Sequence, residues 1–591
     1  MWEQFRVSRG PLEVFDPGPT PAWAQLFAET PNYRGIGLAF SGAKFRWHFG
    51  PMFYRGRTVD GAARVLVIGQ EGAQDESLSH RSFTGGTGAR MQHLLNHIGI
   101  VHSYLFLNTF VYPINGQYVG GFPTLAQDPR SPIAQHRAKI LDLAASTQDL
   151  RLVVAVGKAA KESCVSWLGA HGVTAKPEEL DKANGAVIRP GLRFVGVPHP
   201  GGAGKGGDVT KIIAGFKAAI AQIEQWAQTD AGWLPADPGG TRSTAASYKY
   251  ASAAIPFNDF PFGTSWRLGS GGTSSNRRDA QTSIQLFSSI GKYNNTGVTV
   301  NYSIGPGSKI GYADDPGDVE VEPPRVHPLE IDSGPGEFAS LLSGTVAGKD
   351  WPDFTALGLS AHPSFGFGPS YRGRLNAASM LILADQASHD DLFTGRALTG
   401  ESGQRLQGWL GAAGLTHRYA IVRILPVDSL DAPTAVVTAA ADHPAVRTIL
   451  IGVVAKAAPQ VAVAVGAQAS RIIDALVPAG TPIVKMAGWA DNVAGLADWR
   501  RALNELKPIT YTKDSAASFT WDGQRGQIPR ADLPYGTLRW QATSGDRAER
   551  SRSGGQPNPN YYKFAMPGWA AALNPAPLTP AEQAAVTALR S

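Results

Sequence analysis

The chain contains a single cysteine, Cys164, among its 591 residues. One thiol cannot form an internal disulfide, a four-cysteine zinc site or a cysteine-ligated iron–sulfur cluster, and we expect the protein to work without metal or cofactor. Long hydrophobic runs are also lacking, since no stretch of 18 or more apolar residues occurs that would cross a bilayer. The opening segment, MWEQFRVSRGPLEVFDPG, is polar and interrupted by prolines, unlike a signal peptide. We therefore expect a cytoplasmic protein with no membrane partner.

Charged residues make up only 17% of the chain, yet basic residues outnumber acidic ones and the formal net charge is +6. This basic excess favours a polyanionic partner such as nucleic acid, but only mildly. Length is more informative. Because 591 residues exceed one ordinary domain, two or more hydrophobic cores are expected.

Four motifs occur twice in the same order, which indicates an internal duplication. The pairs are FGPMFYRGR with FGPSYRGR, VLVIGQEGAQDE with LILADQASHDD, LVVAVGKAAKESC with VAVAVGAQASRII, and IPFNDFPFGT with IPRADLPYGT. Gly69 pairs with Ala384 and Gly88 with Gly403, and both pairs are 315 positions apart. We interpret the chain as two related units at roughly 45–275 and 365–545, called here the first and the second unit.

Strand-like runs alternate with helical patterns within each unit. In the first unit this predicts strands at 64–69, 104–109, 152–157 and 193–197, and helices at 87–98, 131–147, 158–169 and 208–227. Such alternation is typical of a mostly parallel sheet that is covered by helices on both faces. The fold class expected is therefore α/β, with two related three-layer α/β/α domains.

The domain boundaries follow from changes in composition. We expect a catalytic N-terminal domain at 1–235 and a degenerate second domain at 365–545. Residues 236–364, rich in Gly, Ser and Pro with a strand-like GVTVNYSI at 297–304, are interpreted as an irregular connector with a little β structure. Residues 546–591 form a polar tail with AAVTALR as a possible closing helix.

Five segments of the first unit resemble, in order and in strand context, motifs of the uracil-DNA glycosylase superfamily. They are GQEGAQDE (69–76), FTGGTG (83–88), LFLNTF (105–110), LVVAVGKAAK (152–161) and VPHPGG (197–202). The resemblance covers roughly residues 64–227. It implies an enzyme that everts a nucleotide into a pocket and hydrolyses its N-glycosidic bond.

The resemblance also implies roles for individual residues. Phe83 would stack on the everted base, Asn108 would read its pairing edge, and His199 would face the departing base and stabilise its negative charge. Glu71 or Asp75 would orient water near the sugar, and the sequence leaves open which of the two does so. Gln70 would support the pocket through its backbone.

Two glycine-containing loops bear on the substrate. The uracil-strict branch of the family has a tyrosine where this chain has Ala73, beside Gly72, so a pyrimidine with a bulky substituent at carbon 5 is permitted. The loop GGAGKGG predicts contacts to a DNA phosphate through Gly201, Gly202 and Lys205.

The interpretation favoured on substrate is excision of glucosylated hydroxymethylcytosine from phage DNA, because the tandem design resembles an anti-phage branch of the superfamily. The alternative within enzymes is repair of uracil or other deaminated bases. The alternative of another class is a non-catalytic nucleic-acid-binding protein on the same fold.

The second unit lacks most of these groups. Gln386 stands where the first unit has Glu71, Arg423 where it has Asn108, and Gly488 where it has His199, while Asp390 matches Asp75. We expect a non-catalytic copy that is structural or grips DNA, the latter through Arg423, Lys485, Arg500 and Arg501. Separate chemistry through His389, Asp390 and Asp391 is the remaining alternative.

Overall fold

The computed structural model describes residues 15–201, 208–264, 331–344, 346, 348–359, 370–538, 541–542, 545–553, 556–564 and 576–591, and two short strands elsewhere. Those two strands, β6 (Ser283–Gln285) and β7 (Thr299–Asn301), pair antiparallel. Of the predicted strand at 297–304, only 299–301 lies among the described residues, as β7.

The first unit is built on a five-stranded sheet of order β1-β3-β2-β4-β5. Its strands are β1 (Arg55–Gly56), β2 (Val65–Gly69), β3 (Tyr104–Asn108), β4 (Leu152–Val156) and β5 (Arg193–Val197). The helices are α1 (Pro21–Ala28), α2 (Tyr33–Ser41), α3 (Gln74–Ser79), α4 (Gly86–His97), α5 (Phe122–Gln127), α6 (Pro132–Thr147), α7 (Gly157–Ala170) and α8 (Val209–Thr229).

Strands β2 to β5 are parallel, and only β1 runs antiparallel, against β3. Successive side chains of a strand point to opposite faces, so Leu66 and Ile68 enter one core while Val65 and Val67 enter another. Helices α6 and α7 contribute to the first core, and α4 and α8 to the second. A sheet covered on both faces explains why the strands β2 and β4 are apolar along their whole length.

The second unit repeats this topology strand for strand. Its sheet has the order β12-β11-β9-β10-β8, formed by β8 (Tyr371–Gly373), β9 (Met380–Ala384), β10 (Tyr419–Arg423), β11 (Val461–Val465) and β12 (Ile483–Met486). The helices are α9 (Ala339–Leu342), α10 (Asp390–Thr394), α11 (Glu401–Ala412), α12 (Thr434–Asp442), α13 (Pro444–Ala457), α14 (Ala467–Ile472) and α15 (Val493–Glu505). The predicted fold class, two related α/β units with mostly parallel sheets, is confirmed.

The chain ends in the antiparallel pair β13 (Ala548–Ser553) and β14 (Gln556–Phe564), followed by α16 (Pro580–Arg590). Helix α16 packs against α2 of the first unit, and Glu582 accepts a hydrogen bond from the backbone N–H of Asn32 at 2.8 Å. The last residues therefore belong to the first unit's core and do not form a separate tail, although the predicted closing helix is present.

A buried ion pair occurs at equivalent places in both units. In the first unit, Arg55 donates to Asp259 at 2.6 Å and to Gln92 at 3.0 Å, and the Tyr104 hydroxyl also donates to Asp259. The second unit has the same arrangement of Arg372, Asp532, Gln407 and Tyr419. A buried charge needs a partner, and here each partner comes from a repeated IP-x-x-D motif.

These contacts correct the boundaries of the predicted connector. Asp259 and the buried Tyr248 pack into the first unit, whereas Phe338, Trp351 and Phe354 pack into the core of the second. The boundary at 235 therefore falls inside the first unit. Gly- and Pro-rich composition was a poor guide here because a few buried aromatic and acidic side chains anchor otherwise irregular backbone.

No single helix in the described part of the chain is long and apolar enough to span a membrane. One bent pair, α12 with α13, meets the criterion by length and composition alone.

Candidate active site

Four strand ends of the first unit meet at one edge of the sheet because β2 to β5 are parallel. Gly69 at the end of β2 lies opposite Asn108 at the end of β3, and Val156 of β4 lies opposite Val197 of β5. The first-unit residues predicted from the sequence lie either at these strand ends, as Asn108 does, or in the segments between them and the next long helix, as Phe83 and His199 do. A ligand crevice is expected at this edge in open α/β sheets.

Phe83 and Asn108 come together above Gly69. A Cβ atom added to Gly69 would overlap the tip of the Phe83 ring and would lie 2.7 Å from Asn108 Oδ1. The Phe83 ring also packs against Phe106 of β3, with the centroids 5.0 Å apart. Gly69 therefore has no side chain because the space is taken by an aromatic ring and an amide.

The backbone of Phe83 lies in the left-handed region, at a φ of 57°. This conformation is rare for a bulky residue, and it costs about 1–3 kcal/mol where it occurs. Gly88 allows it, because a Cβ there would overlap the Phe83 carbonyl. Strained backbone of this kind is often found at functional sites.

The Asn108 side chain is buried and only partly satisfied. Its Nδ2 donates to Ser82 Oγ at 3.3 Å, while its Oδ1 accepts no hydrogen bond from the described residues. A buried acceptor left without a donor costs about 1–3 kcal/mol. The geometry thus holds one amide oxygen ready for a donor that the described residues do not supply.

His199 lies above the neighbouring strand end. It is exposed, and its Cβ and Cδ2 lie 3.2 Å and 3.7 Å from the Cβ position of Gly157, the residue that follows β4. Its Nδ1 accepts a hydrogen bond from the Gly201 N–H at 3.1 Å, so the neutral ring carries its proton on Nε2. Because β2 and β4 are adjacent, His199, Phe83 and Asn108 share one part of the edge.

The two candidate acids differ in environment. Glu71 is half-buried, and it accepts hydrogen bonds from Gln70 Nε2 at 3.1 Å and from the Ile114 N–H at 3.2 Å. Asp75 is completely buried at the start of α3. Of these two acids, Glu71 is therefore the one that is partly exposed to solvent. Gln70 orients Glu71, and its backbone carbonyl accepts the Phe110 N–H.

A third acid, Glu76, was missed by the sequence reasoning. It is buried, and its carboxylate accepts the backbone N–H groups of Ala73, Thr84 and Gly85 at 2.7, 2.9 and 3.0 Å. Glu76 thereby ties α3 to the turn that carries Phe83. A glutamate three residues after the N-cap, here Ala73, is one half of a recognisable capping signal, so the sequence did contain a clue.

The space beside Gly72 is filled. A Cβ on Gly72 would overlap Met52 Sδ, so this glycine packs against a methionine instead of opening the pocket. Of the two small residues predicted to admit a large base, only Ala73, which is half-buried, can carry the steric argument.

The predicted phosphate loop is only partly described. Gly201 is exposed at its start, whereas Gly202 and Lys205 lie outside the described residues. The loop is followed by α8, whose N-cap Asp208 accepts the Thr210 N–H at 2.9 Å.

At the equivalent edge of the second unit the predicted base-binding groups are replaced. Ala384 replaces Gly69, Leu398 replaces Phe83, and Arg423 is 1% exposed with its Nη2 donating to the Val427 carbonyl at 2.6 Å. The hypothesis that Arg423 grips DNA is therefore wrong, since a buried guanidinium cannot reach a phosphate. Three further basic residues proposed for DNA make intramolecular contacts, Lys485 with Asp474, Arg501 with Asp498, and Arg500 with the Trp521 carbonyl.

Asp390 and Asp391 of the second unit accept hydrogen bonds from backbone N–H groups. Asp390 accepts the N–H groups of Arg547 and Ala548 at 3.0 Å, and Asp391 accepts that of Thr399 at 3.0 Å. Burial raises the pKa of both carboxyl groups. In the described part of the chain, one set of potential metal ligands lies within 4.8 Å of one another, His389, Asp428 and Asp431, and it lies in the second unit.

Comparison with known families agrees with this geometry. Residues 57–210, which contain β2 to β5 and the loops at their carboxyl ends, match the family model described as Uracil DNA glycosylase superfamily. A search of curated proteins gives no match.

Proposed function

Because residues 57–210 form a uracil DNA glycosylase superfamily domain, we propose that the first unit is an active DNA glycosylase that hydrolyses the N-glycosidic bond of an everted pyrimidine. The observation that supports it most is the meeting of Phe83 and Asn108 above Gly69, with His199 over the adjacent strand. An aromatic face, an amide and an imidazole are what an extrahelical base requires for stacking, reading and departure.

Binding of the base would use Phe83, in its strained turn, and the side-chain amide oxygen of Asn108. The buried Phe83 ring would present one face to the base, and stacking of a base on an aromatic ring contributes about 1–3 kcal/mol. Asn108 Oδ1 would accept a hydrogen bond from an N–H group on the pairing edge of the base. That contact would remove the cost of leaving the oxygen without a donor.

Cleavage of the bond leaves negative charge on the departing base and positive charge on the sugar, as in the oxocarbenium-like transition state of glycosidases. His199 would donate its Nε2–H to the base oxygen that gains charge. A single donor aimed at such an oxygen lowers the barrier by about 3–4 kcal/mol.

We assign the water-orienting role to Glu71 in preference to Asp75. Glu71 is partly exposed, whereas Asp75 is completely buried. The second unit supports the choice: it retains Asp75 as Asp390, which binds backbone N–H groups, but has Gln386 in place of Glu71. Gln386 still accepts the Ser429 N–H at 2.7 Å, as Glu71 accepts that of Ile114, so only the charge is lost.

For the substrate we favour glucosylated hydroxymethylcytosine in phage DNA, and hence a role in anti-phage defence. The support is the small side chain of Ala73 and the tandem design of the chain. Repair of uracil or another deaminated base is the alternative, since a small residue permits a large base without requiring one.

A panel of duplex and single-stranded oligonucleotides tests both the proposed glycosylase activity and the proposed substrate. They would carry uracil, mismatched thymine, hydroxymethylcytosine or its glucosylated form, and released bases would be identified by mass spectrometry. Release of the glucosylated base supports the favoured substrate, and rapid release of uracil alone supports repair. DNA binding without release of any base would support the non-catalytic alternative.

A further inference from the structure

Each of the two IP-x-x-D motifs contacts both units, and the two sets of contacts are reciprocal. Each motif anchors its aspartate in its own unit, Asp259 to Arg55 and Asp532 to Arg372. Three residues further on, each motif enters the other unit: Phe262 packs in the core of the second, and Tyr535 in the core of the first.

A second arginine in each unit completes the exchange. Arg81 of the first unit is fully buried and donates through Nη1 to the Tyr535 carbonyl at 2.8 Å. Its counterpart Arg396 donates through Nη1 to the Phe262 carbonyl at 2.5 Å. Each arginine is neutralised by an aspartate, Arg81 by Asp16 at 2.6 Å and Arg396 by Asp332 at 2.5 Å.

Arg81 lies within the turn that shapes the proposed pocket. It is preceded by His80, whose φ is 58°, and Phe83, with a φ of 57°, follows two residues later. Arg81 Nη1 also donates to the His80 carbonyl at 2.8 Å. The guanidinium thus joins one strained residue of this turn directly to a carbonyl of the other unit.

The second unit also contacts the turn directly through Gly536. A Cβ added to Gly536, whose φ is 93°, would lie 3.0 Å from the Cβ of His80. The pKa of His80 is lowered to about 3, mainly by burial and next by Arg81, while a hydrogen bond with the Phe393 backbone of the second unit acts in the opposite direction. His80 is therefore enclosed by groups of the other unit on more than one side.

We infer that the second unit is a positioning element for the first unit's active site, in which residues 528–537 hold His80 and Arg81 and through them set the backbone of Phe83. This inference rests on the proposed function. It explains what a copy without the phenylalanine, asparagine and histidine contributes: the pocket of one unit is supported by a motif from the other. Tyr535 and Gly536 touch no substrate in this scheme and act only through the turn.

The symmetry of the exchange supplies a matched pair of variants. Gly536→Ala adds a methyl group against His80 in the first unit. Gly263→Ala adds a methyl group at the equivalent glycine, whose φ is 81° and whose carbonyl carbon lies 3.6 Å from the Cβ position of Gly395 in the second unit. Both variants strain a left-handed glycine, so they should lower the melting temperature by similar amounts, but only the first disturbs the proposed active site.

We expect Gly536→Ala to lower kcat by about 10- to 100-fold, the scale of a small misplacement of catalytic groups, with KM changed by less than about 2-fold. Gly263→Ala should leave kcat within about 2-fold of the wild type at the same temperature. Equal effects of the two variants on kcat would overturn the inference.

Hydrogen exchange of peptides covering residues 70–85 gives a reading that does not depend on activity. Faster exchange in Gly536→Ala than in Gly263→Ala supports the inference even if no base is ever released. Equal exchange, with excision intact in both variants, would overturn it and leave the proposed function standing. If either alanine variant fails to fold, Arg81→Lys and Arg396→Lys provide the same comparison with the same readouts.

Discussion

Phe83 and Leu398 occupy equivalent positions in the two units, 315 residues apart, and both backbones lie in the left-handed region, at φ values of 57° and 52°. In both units a glycine five residues later, Gly88 or Gly403, leaves room for the carbonyl of the strained residue. The strained turn is therefore a property of the duplicated fold. The aromatic ring is not required by the fold, because the second unit makes the same turn with leucine.

Phe83→Leu tests this separation of fold from function. Leu398 demonstrates that the turn accepts leucine, so the melting temperature should change by only a few degrees. Loss of stacking should cost about 1–3 kcal/mol of transition-state stabilisation, which is roughly a 5- to 150-fold fall in kcat/KM. Single-turnover excision kinetics and thermal unfolding measure the two effects. Unchanged kcat/KM would mean that Phe83 is only a core residue.

His199→Ala tests the assignment of the group that stabilises the departing base. Removing one donor to a developing negative charge should lower kcat by about 100- to 1,000-fold. The side chain is exposed and lies outside the cores, so folding and DNA affinity should change little. Excision rates are compared with DNA binding by fluorescence anisotropy, and full activity in this variant would refute the assignment.

Ala73→Tyr tests the steric argument on substrate size. A tyrosine at this half-buried position should obstruct a base with a large group at carbon 5 while still admitting uracil. We expect at least a 10-fold loss of kcat/KM on the bulky base and less than about 3-fold on uracil, measured on otherwise identical oligonucleotides. An equal loss on both bases would remove the argument.

The lowered pKa of His80 predicts that the stability of the protein depends on pH. Its pKa is lowered from 6.5 to about 3 in the folded state, so below pH 6.5 the unfolded chain binds a proton that the folded chain does not. Stability should therefore fall as the pH drops from 6.5 towards 3, by up to about 1.4 kcal/mol per pH unit from this group. Asparagine tolerates left-handed backbone, so His80→Asn is the suitable variant.

Urea unfolding of the wild type and of His80→Asn between pH 7.5 and 4 measures the free energy of unfolding of both proteins. The difference in the free energy of unfolding between the two proteins should shift in favour of the variant as the pH falls. A difference that stays constant over this range would show that His80 titrates normally or makes no contribution.

The sequence predicted much of the first unit because its signals are local. Strands predicted at 104–109 and 193–197 are observed at Tyr104–Asn108 and Arg193–Val197, since short, mainly apolar runs are typical of buried parallel strands. The placement of Asn108 and His199 at one edge also followed, because parallel strands end on the same side. Helices α1 and α2 were not predicted, as the segments before β1 lack a long periodic pattern.

The role of Arg423 illustrates what local pattern could not supply. A basic residue in a polar copy of an active site is usually solvated, and only the packed structure shows a guanidinium that is 1% exposed and bonded to a backbone carbonyl. Composition assigned Asp259 to a connector, whereas the repeated IPFNDFPFGT motif placed it in the first unit, and only the structure shows that it neutralises Arg55 from 204 residues away.

The amino-acid sequence by itself determined the alternation of strands and helices, the duplication at a constant spacing, and the presence of an aromatic, an amide and an imidazole at strand ends. These depend on short-range periodicity and on chain order. Only the tertiary structure decided which motif braces which unit. The contacts of residues 255–264 and 528–537 with the opposite unit depend on where buried charges and carbonyls find partners across the whole chain. Because the two motifs are similar in sequence, either pairing is compatible with the sequence alone.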